Sequence, residues 1–132
     1  MEKKNGKGRQ YYNNGLLEFE GEYLNGERSG KGKEYYDDRH GKLIFEGEYL
    51  NGERSGKGKE YYHNGKLRFQ GKYLNGEKWN GKGYNPEGEN DFEIKEGNGK
   101  VKEYNHYDKL IFEGEYLNGK KMVKEKNMNM IN

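Results

Sequence analysis

The 132-residue sequence has no cysteine, no threonine and no alanine, a single proline (Pro86) and a single tryptophan (Trp79). Without cysteine there is neither a disulfide framework nor a thiolate zinc site, which suits a reducing compartment. Without alanine, and with 22 glycines, long helices are disfavoured. The only serines, Ser29 and Ser55, lie in turn-rich stretches, so a nucleophile–base pair has little to draw on and no catalytic residues are assigned. Hydrophobic residues make up 29%, too few for a thick core. No stretch approaches the roughly 20 apolar residues of a membrane span, and Met1–Gly6 lacks the apolar run of a signal peptide. A cytoplasmic location, free or at a membrane surface, is the expectation. The net charge of +2 gives no concentrated basic field, so no nucleic-acid partner is expected.

What the chain does have is 13 tyrosines and 5 phenylalanines on a regular pattern. The segment Phe19–Tyr36, FEGEYLNGERSGKGKEYY, recurs residue for residue as Phe45–Tyr62, and Leu110–Gly119 repeats Leu43–Gly52. Gly-Lys-Gly begins at Gly6, Gly30, Gly56 and Gly81, and a last restart at Gly99 carries Val101 in place of the second glycine. These starts divide the chain into an N-terminal tail (1–5), units at 6–29, 30–55, 56–80, 81–98 and 99–121, and a basic tail (122–132) expected to be disordered. Unit 81–98 is irregular: Phe92 is expected in the place of the repeated phenylalanine, and Lys95–Asn98 replaces Tyr-Leu-Asn-Gly. The unit reads as either a decayed repeat or the point where the array bends.

Leu43, Phe45, Gly47 and Tyr49 are spaced by two, which predicts a strand with these four on one face and Glu46 and Glu48 on the other. Asn51–Gly56 reads as a longer loop, Lys57–Tyr62 as the second strand, and Asn64-Gly65 as a tight two-residue turn. One unit is thus one β-hairpin. Glycines opposite aromatic residues leave room for the rings to lie across the strands. A lone hairpin is marginal in water, whereas stacked hairpins stabilise one another.

The pattern aromatic-x-Gly-x-aromatic, then Gly, then Gly-x-Gly occurs as Phe19, Gly21, Tyr23, Gly26, Gly30 and Gly32. It recurs from Phe45 and from Phe69, and in shortened form at Phe112, Gly114, Tyr116 and Gly119. In this it resembles the MORN (membrane occupation and recognition nexus) repeat, over roughly residues 6–121. The resemblance implies an all-β fold: an elongated, twisted, single-layer antiparallel sheet of repeated β-hairpins, a solenoid-like array. It also implies a non-catalytic role in scaffolding, self-association or membrane binding, with no cofactor.

Other motifs give way to simpler readings. Gly26–Lys31 is one residue short of a phosphate-binding loop and lacks its Ser or Thr. His40, His63 and His106 occupy equivalent turns; repeats two strands apart would separate them by about 10 Å, too far for a shared metal. The repeated Glu pairs read as a solvated face that pairs with Lys33, Lys57 and Lys59. Tyr11, Tyr35, Tyr61 and Trp79 are the candidate interaction surface for a protein partner or a second copy of the chain, since such rings are favoured anchors. Lys120, Lys121 and Lys124 are candidate contacts to acidic phospholipid head groups, the alternative partner.

Overall fold

The computed structural model describes residues 3–122, and these contain strands and turns but no helix. The strands are β1 (Gly6–Tyr11), β2 (Leu17–Leu24), β3 (Glu27–Tyr35), β4 (Leu43–Leu50), β5 (Glu53–Tyr61), β6 (Leu67–Leu74), β7 (Glu77–Tyr84), β8 (Asn90–Ile94), β9 (Gly99–Tyr104), β10 (Leu110–Leu117) and β11 (Lys120–Met122). Strands β1 to β8 form one open antiparallel sheet in chain order, and β9 to β11 form a second, three-stranded one. Each strand pairs only with its neighbours in sequence, so the fold is a run of consecutive hairpins without crossovers.

The hairpins are phased differently from the sequence expectation. The two-residue turns are Asn25-Gly26, Asn51-Gly52 and Asn75-Gly76, where both residues have positive φ (53° and 86° in the first two). That is the type I′ geometry for which Asn-Gly is suited. The partners flanking these turns are Leu24 with Glu27, Leu50 with Glu53 and Leu74 with Glu77. The expected loop Asn51–Gly56 is therefore a tight turn followed by strand, with a bulge near Gly56 (φ 91°). Asn64-Gly65 instead belongs to a longer loop: Tyr62 N–H donates to Lys66 O (2.9 Å), and Asn64 Oδ1 accepts the Lys66 N–H (2.8 Å).

One sheet face carries the rings. Phe19, Phe45 and Phe69 are completely buried, and Tyr23, Tyr49 and Tyr73 nearly so. Each ring meets the tyrosine of its own strand and, for the first two, that of the next hairpin edge-on, as with Phe19–Tyr23 at 5.7 Å and Phe19–Tyr49 at 5.2 Å. The rings occupy space that glycine leaves vacant: a Cβ on Gly32 would stand 2.5 Å from Phe19 Cζ. Ile44, not Leu43, packs against this core, because a bulge shifts the register at the start of β4.

The two edges of the array are stitched separately. At the tight-turn edge, the N–H groups of Gly26, Gly52, Gly76, Gly97 and Gly119 donate to the carbonyls of Lys4, Arg28, Arg54, Trp79 and Gly97 (2.8–3.0 Å). At the other edge, the hydroxyls of Tyr12, Tyr36 and Tyr62 donate to the carbonyls of Tyr35, Tyr61 and Tyr84 (2.5, 2.8 and 2.5 Å).

The ladder breaks between β8 and β9, which share only the bridge Lys95–Asn98. Glu96-Gly97, with φ 51° and 81°, takes the Asn-Gly place, so the tight-turn edge continues unbroken while the strands beyond it separate. Counted from the tight turns, Phe92 lies opposite Gly83, where β6 has Gly71 opposite Gly58; counted from the longer loop, it takes the phenylalanine place. The β7–β8 hairpin is thus shorter than its neighbours. The second sheet leans onto the ring face of the first: Arg68 Nη2 donates to Tyr104 O (3.0 Å), and Val101 and Tyr116 join the common core.

Candidate functional site

The ring face is sealed by charge. Nine residues after four of the five phenylalanines stands a cation that covers the ring: Arg28 lies 4.0 Å from the centroid of Phe19, Arg54 4.1 Å from Phe45, Lys78 5.5 Å from Phe69 and Lys121 4.9 Å from Phe112, whereas the ninth residue after Phe92 is Val101. Acids hold these cations. Arg54 donates to both oxygens of Glu34 (3.1 and 3.0 Å), and Glu60 lies within 3.8 Å of Arg54, Arg68 and Lys78. The hydroxyl of Tyr49 donates to Glu34, that of Tyr73 to Glu60 (3.0 Å) and that of Tyr116 to Glu103 (2.5 Å). Burial opposes ionisation of Glu60, but Lys78, Arg54 and Arg68, with the Tyr73 hydroxyl, outweigh it and hold the carboxyl at about 2. The phase of these cations and acids was present in the sequence as a nine-residue spacing, yet only the early start of β3 and β5 gives it meaning.

The opposite face is open. Gly8, Gly21, Gly32, Gly47, Gly58 and Gly71 are mutual cross-strand partners in a row across β1 to β6. Their backbone forms the floor of a trough of about 1310 Å³. One flank is Arg9, Glu20, Lys33, Glu46, Lys59 and Gln70; the other is Lys7, Glu22, Lys31, Glu48, Lys57 and Lys72. At two residues apart along each strand, the flanks are separated by about 7 Å, and six strands span about 24 Å. The expected Glu–Lys alternation is present in the register, with Glu20 opposite Lys33 and Glu46 opposite Lys33 and Lys59. Arg9–Glu20, at 3.2 Å, is a closed pair.

The tyrosine candidates fall along one border of this trough. Tyr61 donates to Glu46 Oε2 (2.7 Å), and burial together with that bond raises its pKa to about 12. Burial and the charge of Glu20 likewise raise Tyr35. Tyr11 is 55% exposed. Trp79 does not join them. It is half-buried on the tight-turn edge, where a Cβ on Gly97 would stand 2.5 Å from its Cζ3, and its carbonyl accepts the Gly97 N–H. Trp79, expected to share one surface with the tyrosines, instead packs the turn that replaces Asn-Gly.

Lys120 pairs with Glu77 (2.7 Å), which ties β11 to β7, and Lys121 pairs with Glu103 (2.9 Å) while covering Phe112. Lys124 lies outside the described residues. The histidines are not evenly separated. The lean of the second sheet brings His106 to 4.6 Å from His63, ring centroid to centroid, and His63 also stacks on Tyr36 and lies 3.3 Å from Asp38. The two-strand spacing argument failed here because it assumed a uniform array. His40 stays exposed in its own turn. Among the described residues no group of three or more histidines and acids is arranged to hold a metal ion.

A glycine-floored run of β-hairpins, sealed on one face and open on the other, defines a class of hairpin-repeat protein. The profile of the MORN repeat matches residues 3–16, 19–42, 45–66 and 112–124, more than half of the chain, and the protein belongs to the MORN repeat family. MORN repeats are known in repeat proteins that interact with proteins or membranes. A comparison with curated proteins gives no match.

Proposed function

We propose that the protein is a non-catalytic scaffold that binds a partner protein along the glycine-floored trough. The observation that carries this reading is the contrast between faces. The ring face is filled by its own cations, acids and hydroxyls. The other face offers an uninterrupted strip of backbone about six strands long, flanked by two rows of long polar and charged side chains. A strip about 7 Å wide suits an extended polypeptide better than a helix about 10–12 Å across. Tyr11, Tyr35 and Tyr61 along its border supply anchoring rings next to the charged flank.

Site-specific photo-crosslinking tests this. A photoreactive residue placed at Lys33, in the trough, is expected to capture a partner that the same residue at Lys109, in a loop of the second sheet, does not. Identical captures from both positions, or none from Lys33, would sink the reading.

A further inference from the structure

The trough is not uniform along its length. Strands β2 and β4 each project two acids into it, Glu20 and Glu22, Glu46 and Glu48. At the equivalent places β6 projects Gln70 and Lys72. The result is a local loss of compensation: Lys57 faces Lys72 directly, and Lys59 faces Gln70. Like charges directly opposed across strands destabilise a sheet. The nearest acids have other work. Glu48 Oε1 accepts the backbone N–H of Lys57 (3.0 Å), and Glu46 accepts the Tyr61 hydroxyl. Among the described residues no ion pair within 4.0 Å holds Lys57, Lys59 or Lys72.

Resting on the trough as the binding surface, we propose that its β5–β6 end is a subsite for an acidic peptide segment, whose carboxylates lie among Lys57, Lys59 and Lys72 with the Gln70 amide as a further donor. The substitution of both acids in β6, where β2 and β4 keep them, gives the trough a direction. A partner segment runs along it with its acidic portion over β5 and β6 and its mixed-charge portion over β1 to β4, where Glu and Lys alternate. Charge complementarity of this kind fixes orientation and register as much as affinity.

The test uses the full chain and a fluorescein-labelled deca-glutamate peptide, with deca-glutamine and phosphatidylserine-containing vesicles as comparisons, at about 50 and about 150 mM salt. Deca-glutamate is expected to bind, more weakly at the higher salt, and deca-glutamine is not. The double variant Gln70→Glu/Lys72→Glu restores the acids of β2 and β4, a pattern the fold already accepts, and is expected to lose binding at least tenfold. The double variant Gln10→Glu/Lys109→Glu makes the same change in net charge away from the trough and is expected to retain binding; Lys72→Gln serves if the first variant does not fold. Equal loss in both double variants, no loss in Gln70→Glu/Lys72→Glu, or binding to vesicles without binding to deca-glutamate would each overturn the proposal. If deca-glutamate fails while Lys33 still crosslinks a partner, the acidic subsite is wrong and the scaffold reading stands.

Discussion

The guanidinium carbon of Arg54 sits 4.1 Å above the centroid of Phe45, while its nitrogens donate to Glu34 from the preceding hairpin. One side chain thus closes the ring of its own unit and ties that unit to the one before. Arg54→Ala removes the lid and leaves a half-buried Glu34 with one fewer partner, so a loss of about 2–4 kcal/mol is expected in urea denaturation. Arg54→Lys is expected to cost less, because Lys78 fills the same role over Phe69. Equal stability of Arg54→Ala and the parent would show the lid to be decoration.

Glu60 supplies a pH signature. Its carboxyl is held at about 2 in the folded chain, below the ordinary value of 4.5. A depressed folded pKa means stability that is fully present above about pH 4.5 and is lost as the pH falls through the folded value, at most about 3 kcal/mol for this shift. Thermal melts from pH 6 to pH 2 are expected to show a falling Tm for the parent and a flatter profile for Glu60→Gln, which is less stable at neutral pH. Parallel profiles would mean that Glu60 titrates alike in folded and unfolded chains.

Two glycines separate close approach from turn conformation. A Cβ on Gly47 would stand 2.5 Å from the Lys57 carbonyl oxygen and 2.8 Å from Phe45 Cζ, while one on Gly65 would meet nothing within 4 Å. Gly47→Ala is expected to cost about 3 kcal/mol or more, since neither the backbone nor the buried ring has room to give. Gly65→Ala pays only for its positive φ of 87°, about 1 kcal/mol. The reverse order in denaturant midpoints would contradict the packing described for the ring face.

Much of this architecture was legible because the repeat is nearly perfect. Two identical segments, 19–36 and 45–62, fix the element type, and the spacing of Phe45, Gly47 and Tyr49 fixes their common face. What escaped was phase. Asn51-Gly52 and Asn64-Gly65 look alike as dipeptides, and only the strand pairing shows that the first makes the tight turn. That error hid Arg28 and Arg54 in a supposed loop, and with them the seal over the rings. The trough escaped for a related reason: its floor is made of glycines from six different strands, and no window of sequence contains it. The meeting of His63 with His106 depends on how the second sheet leans: the irregular unit 81–98 marked where the array departs from uniformity, but no spacing in it places one histidine turn against another.

The identity of 19–36 with 45–62 also bears on how the chain finds its fold. Every local contact made by one segment is equally available to the other, so a slip of one whole hairpin leaves the ring stacking, the lids and the turns intact. The non-identical strands then disagree: β1, which brings Gln10 where Glu34 stands in the next unit, β6 with Gln70 and Lys72, and the shortened hairpin with its break after β8. Uniqueness of the native pairing therefore rests on the irregular parts. The imperfect repeats act as the index marks that keep the perfect ones in step, and erasing them would be expected to yield exchanged or concatenated assemblies before it yields an unfolded chain.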